Sequence, residues 1–169
     1  MMKDHIFLKL GSVKDAEADA IISEINNDLI FSAENSCSLG PDVDYEIVRQ
    51  CLAIGKLDLG DAVTTDAGNL KARWVIHAAS MDYDEHSTED SIVSSMRAAL
   101  NRANEIGART VAVPPIGVAT SEIPVKRVAE LLLSECLRHN DRESSVEEAT
   151  FYLPNAQMMR IFEECLKQI

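Results

Sequence analysis

The chain reads as an α/β protein with a largely parallel sheet and helices on both faces. Three observations predict this. Strand-like and helical runs alternate through the second half, the pattern of parallel sheets covered by helices. The helical runs carry apolar residues at helical spacing on one face. The composition, 46% hydrophobic and 26% charged, is that of a globular chain able to bury a core. No repeat, low-complexity tract or linker breaks the 169 residues, so one domain over 1–169 is expected.

His5 to Leu10 reads as a strand and Ala18 to Ser23 as a second short apolar run. Asp28 to Pro41, rich in Ser and Asn, reads as a long loop. Ile47, Val48, Cys51 and Leu52 fall at helical spacing within Asp44 to Ile54. Ala62 to Thr65 and Trp74 to Ala78 are strand-like and joined by the turn signal Ala67-Gly68-Asn69. Asp82 to Thr88 is an acidic loop, read as solvated rather than metal-binding. Ile92, Met96, Ala99, Leu100 and Ala103 mark an amphipathic helix with Ser87 or Thr88 as its cap, Glu89 and Asp90 in its first turn and Gly107 as its stop. Thr110 to Val113 is a β-branched strand. Pro124 suits the first position of a helix carrying Val125, Val128, Ala129, Leu132 and Cys136. Thr150 to Leu153 is the last strand, and Asn155 caps a final helix with Met158, Phe162, Cys165 and Leu166. In such sheets ligands bind at the carboxyl ends of strands, which directs attention to the loops after Ser23 and Val113.

A net charge of -12 repels nucleic-acid backbones and anionic membranes, so general roles there are disfavoured. Cys37, Cys51, Cys136 and Cys165 are scattered, with no CxxC pair and no zinc spacing, which fits a reduced cytoplasmic setting. No metal or cofactor is expected. The N-terminus lacks the apolar length of a signal peptide, and no run approaches a membrane span. His77 ends an apolar strand and reads as a hydrogen-bonded core histidine.

Three segments together resemble the macro domain, a family that binds ADP-ribose and related nucleotides. One runs from Gly60-Asp-Ala-Val through Ala67-Gly-Asn-Leu to Val75-Ile-His77. Another runs from Ala98 to Gly107 and on through Thr110-Val-Ala-Val-Pro-Pro-Ile-Gly117. The third is Asp19-Ala-Ile-Ile with Asn26-Asn27 behind it. The resemblance covers roughly residues 5 to 168. It implies a three-layer α/β/α fold around a mixed, mostly parallel sheet of about six strands.

The resemblance also implies a ligand site made of Ser12, Val13, Asn26, Ser32, Ala33, Glu34, Ile116, Gly117, Val118, Ala119, Thr120, Ser121 and Glu122. Asn26 is its candidate catalytic residue. The ligand positions depart from the family pattern. Gly11-Ser12-Val13 stands where the family has Gly-Asp-Ile. Ser23-Glu24-Ile25-Asn26 replaces Asn-Ala-Ala-Asn. The first phosphate loop, Phe31 to Gly40, has its only glycine at the end. In the second, Gly117-Val-Ala-Thr-Ser-Glu-Ile-Pro124, Ala119 and Glu122 occupy glycine positions.

Diphosphates are held by converging backbone N–H groups, and glycine permits the close approach. Ala119 adds a Cβ, and Glu122 and Glu34 add like charge. Unit charges 4 Å apart repel by about 1 kcal/mol in water and about 4 at an effective dielectric of 20, roughly a fivefold to thousandfold loss of affinity. Three readings follow: a module binding ADP-ribose or a related nucleotide with altered preference; a hydrolase of ADP-ribose derivatives using Asn26; and a scaffold that has lost the ligand. Asn26 and Asn27 also suit a turn cap.

Overall fold

The computed structural model describes residues 3–31 and 37–169. Ser32, Ala33 and Glu34 of the expected site lie outside the described residues. The strands are β1 (Ile6–Leu10), β2 (Ala20–Asn26), β3 (Ala62–Asp66), β4 (Trp74–Met81), β5 (Thr110–Val113) and β6 (Glu148–Leu153). They form one sheet in the order β1-β6-β5-β2-β4-β3. Every neighbouring pair is parallel except β3 and β4, whose short turn permits only antiparallel pairing. The mixed, mostly parallel sheet expected from the sequence is therefore present.

The helices among the described residues are α1 (Tyr45–Ile54), α2 (Glu89–Glu105), α3 (Val125–Asn140) and α4 (Ala156–Gln168). The alternation of β2 sorts the core. Ala20 and Ile22 join Ile92, Met96 and Leu100 of α2, Val128 and Leu132 of α3, and Phe162 of α4. Ile21 and Ile25 join Ile47 and Cys51 of α1 with Leu29 and Leu39. Because β2 is covered on both faces, its sequence is almost continuously apolar. Glu24 is the charged exception, and it is only 5% exposed.

The helix ends follow their sequences. Thr88 Oγ1 accepts from the Ser91 amide at 3.1 Å, and Ser91 Oγ accepts from the Thr88 amide at 2.8 Å. This reciprocal cap is worth about 1 kcal/mol. Asn155 Oδ1 accepts from the Met158 amide at 2.8 Å and starts α4. Pro124 is a correction by one residue. It precedes α3 as the cap, with ψ 140, rather than occupying the first helical position.

His77 is buried, 2.8 Å from Thr65 Oγ1 and edge-on to Phe31. Burial pushes its pKa down to about 3, so the ring is a neutral core element. All four cysteines are free and buried. No helix among the described residues is long and apolar enough to cross a membrane.

Candidate ligand cleft

At the carboxyl ends of β1, β2, β5 and β6 lies a cleft of about 270 Å³. That is slightly below the ~300–1,000 Å³ of typical small-molecule sites. Its walls are mainly apolar: Val13, Val118, Ala119, Pro154 and Met158, with the ring of Tyr152. Ser12, Ser38 and Glu24 supply polar groups. A second depression of about 540 Å³ shares Gly11, Ser12 and Tyr152 with it and extends to Lys9, Asp15 and Glu17.

Gly11 turns the chain out of β1 with φ +142, and its amide donates to the Leu153 carbonyl at 2.9 Å. A Cβ on it would rest 3.7 Å from Tyr152 Cδ1, so the glycine leaves that side of the ring uncovered. Ser12 then caps the short turn Val13–Asp15, its Oγ accepting from the Lys14 amide at 3.3 Å.

The inner wall is built around Glu24. Ser80 Oγ donates to Glu24 Oε2 at 2.5 Å, the Gly117 amide at 2.9 Å and Thr120 Oγ1 at 3.1 Å. Local geometry aims these donors. Ile25 pairs with Ala79 while Asn26 pairs with Met81, so Ser80 is the extra residue of a β-bulge. Ser91 Oγ donates to the Ser80 carbonyl at 2.6 Å and ties that bulge to the first turn of α2. Ser87 Oγ lies 2.6 Å from Thr120 Oγ1 and extends the chain of hydroxyls. Ser38 brackets the Glu24 backbone, its amide donating to the Glu24 carbonyl at 3.1 Å and its Oγ accepting from the Glu24 amide at 2.8 Å.

Burial pushes the Glu24 carboxyl up to about 7, against the opposing pull of Ser80, Gly117 and Thr120; the nearby Glu85 charge adds to the rise. Near neutral pH this carboxyl is divided between its two protonation states.

The segment after β5 uses its own donors. Pro114 and Pro115 have no amide hydrogen. The Ile116 amide donates to Pro114 O at 2.8 Å and that of Val118 to Pro115 O at 3.2 Å. The Gly117 amide is bound to Glu24. Ser121 Oγ donates to the Gly117 carbonyl at 2.6 Å.

Of the residues expected at the site, Ser12, Val13, Val118 and Ala119 line the cleft. Gly117 and Thr120 stand behind the wall as partners of Glu24. Ile116 is buried in the core, Ser121 closes its own turn, and Glu122 is exposed. Asn26 is 1% exposed and does not line the cleft. Its Nδ2 donates to the Ile30 carbonyl at 2.8 Å and its Oδ1 accepts from the Ile30 amide at 3.1 Å. That is the turn-capping alternative. The residues missed from sequence were Glu24, Ser38, Pro114, Pro115, Tyr152, Pro154 and Met158. A lone carboxylate inside an apolar strand was the available sign of Glu24.

A family profile described as Macro domain matches residues 37–132. A macro domain-containing protein of Caldanaerobacter subterraneus is 28% identical, the match covering 99% of this chain and 99% of the relative. One of Streptomyces coelicolor is 31% identical, with coverage of 93% and 95%. Among solved structures, the Trypanosoma brucei macrodomain in complex with ADP-ribose superposes with a TM-score of 0.81 at 20% identity, covering 96% of this chain and 69% of that one.

Proposed function

Since the chain belongs to the macro-domain family, we propose that its cleft binds ADP-ribose or a related adenine nucleotide metabolite, seating the nucleoside end of the ligand. The observation carrying this reading is the set of walls. Val13, Tyr152, Pro154 and Met158 offer flat and apolar surface to a base, with Ser12 beside them as a hydrogen-bonding group. The Trypanosoma brucei macrodomain, whose fold this chain shares, holds ADP-ribose. A cytoplasmic setting is supported by the four free, buried thiols.

Binding is favoured over hydrolysis because both polar atoms of the Asn26 amide are engaged by Ile30. It is favoured over a ligand-free scaffold because the cleft is open. Titration calorimetry with adenosine and with ADP-ribose tests the reading. Heat of binding is expected for at least one of them with Kd at or below about 1 mM; no heat from either would overturn it.

A further inference from the structure

Three donors from three separate segments meet on one oxygen at the inner wall of the cleft. They are the hydroxyl of Ser80 on β4, the amide of Gly117 and the hydroxyl of Thr120. Donors converging in this way form a cradle for an anion. Here the anion is part of the chain. We propose that Glu24 is the specificity-determining residue of this cleft: its carboxyl fills the donor set, so the site takes an uncharged nucleoside and disfavours a ligand that presents a phosphate at that wall. The proposal rests on the adenine-binding reading above and narrows its ligand class.

Two further observations support it. The neighbouring backbone offers no substitute donors from 114 to 118. Two of those residues are prolines, and the amides of Ile116, Gly117 and Val118 are bound within the fold. A phosphate here gains no hydrogen bonds from this stretch. The charge also has the wrong sign. Among the described residues, the charge that raises the Glu24 pKa is Glu85, a like charge from the loop after β4. Among the described residues, the loop after β2 carries the acids Asp28, Asp42 and Asp44 and the thiol of Cys37, which is pushed up to about 12, first by burial and next by Glu24, and so stays neutral; the turn Val13–Asp15 brings Lys14 and Asp15. From the loop after β5, Gly117 and Thr120 bring only neutral donors. A ligand anion at this wall therefore meets the negative charge of Glu24 whenever that carboxyl is ionised, an effect worth about ten- to hundredfold in affinity at intermediate dielectric.

Protonation offers a second handle. As pH falls through about 7, Glu24 loses its charge, and the discrimination should relax in the unmodified protein. ADP-ribose and adenosine suit the comparison because neither changes charge across the near-neutral range.

The experiment measures Kd for adenosine and ADP-ribose by calorimetry, on the wild type and on Glu24→Gln, at about pH 5.5 and about pH 8. At the higher pH the wild type is expected to favour adenosine. Glu24→Gln is expected to shift the ratio of the two affinities toward ADP-ribose by about tenfold or more. Acid should shift the wild-type ratio in the same direction and leave that of the variant in place. If Glu24→Gln does not fold, the wild-type pH series decides alone. A ratio that moves with neither the substitution nor pH, while adenosine still binds, overturns the assignment of Glu24 and leaves the nucleoside reading standing. If neither compound binds either protein, both fall.

Discussion

The amide of Gly117 donates to Glu24 Oε2 at 2.9 Å, joining the end of β2 to a loop 93 residues later. The bond fixes the cleft wall from both sides. It gives a carboxylate inside the sheet a partner, and it gives a loop amide in a glycine of positive φ an acceptor.

The first prediction concerns pH. Glu24 has a folded pKa of about 7, raised mainly by burial from its ordinary 4.5. The folded state therefore holds its proton more tightly than the unfolded state. The stabilising contribution is complete below about 4.5 and is lost as pH rises through about 7, a change on the order of 3 kcal/mol. His77 works in the opposite direction. Its folded pKa is depressed to about 3, so stability rises with pH between about 3 and about 6.5. The two partly offset each other in the wild type. The difference between wild type and Glu24→Gln isolates the first: denaturant melts should move in favour of the variant, relative to wild type, from pH ~4.5 to pH ~7.

Gly117→Ala should destabilise the protein by about 2 kcal/mol or more. Gly117 has φ +90, and a Cβ there would sit 2.3 Å from Cδ1 of Ile92, a fully buried side chain of α2. Chemical denaturation measures the cost. Pairing the substitution with Ile92→Ala relieves the clash but not the backbone strain, so the Gly117 change should still be unfavourable in that background.

Tyr152→Ala should weaken nucleoside binding by about tenfold or more, since a base stacked on an aromatic ring gains ~1–3 kcal/mol. Tyr152 sits on β6 opposite Lys9 and borders both parts of the cleft. Calorimetry with adenosine is the measurement. Unchanged affinity would place the base elsewhere.

Asn26→Ala should cost about 1–3 kcal/mol of stability, because it removes both side-chain hydrogen bonds to the backbone of Ile30 and leaves a gap at a side chain that is 1% exposed. Leu29, at φ +57 between them, shows how tightly that turn is drawn. A stability loss without a change in ligand Kd, measured on folded variant, marks Asn26 as a turn residue. A large Kd change with stability intact would return it to the ligand.

Much of the architecture was legible in the sequence. The helical spacing of Ile92, Met96 and Leu100, the cap at Thr88 and the cap at Asn155 are local codes, and local geometry decides them. The strands were found, β5 at both of its ends, but the ends of β2 and β4 were not. β2 runs on to Asn26 and β4 to Met81, because each strand pairs with the other along that stretch and so holds polar residues in the ladder. Such partners are remote in sequence.

The sequence by itself determined the layers, the family and the departure of the ligand loops from the family pattern, since these are carried by periodicity and short motifs. It drew attention to Ala119 and Glu122. The tertiary structure decided what those departures amount to. Ala119 borders the cleft and Glu122 faces solvent, while the charge at the wall belongs to Glu24. The physical reason is that a buried carboxylate takes its meaning from the donors around it. Ser80, Gly117 and Thr120 come from distant segments and meet on one oxygen only when β2, β4 and the loop after β5 pack side by side.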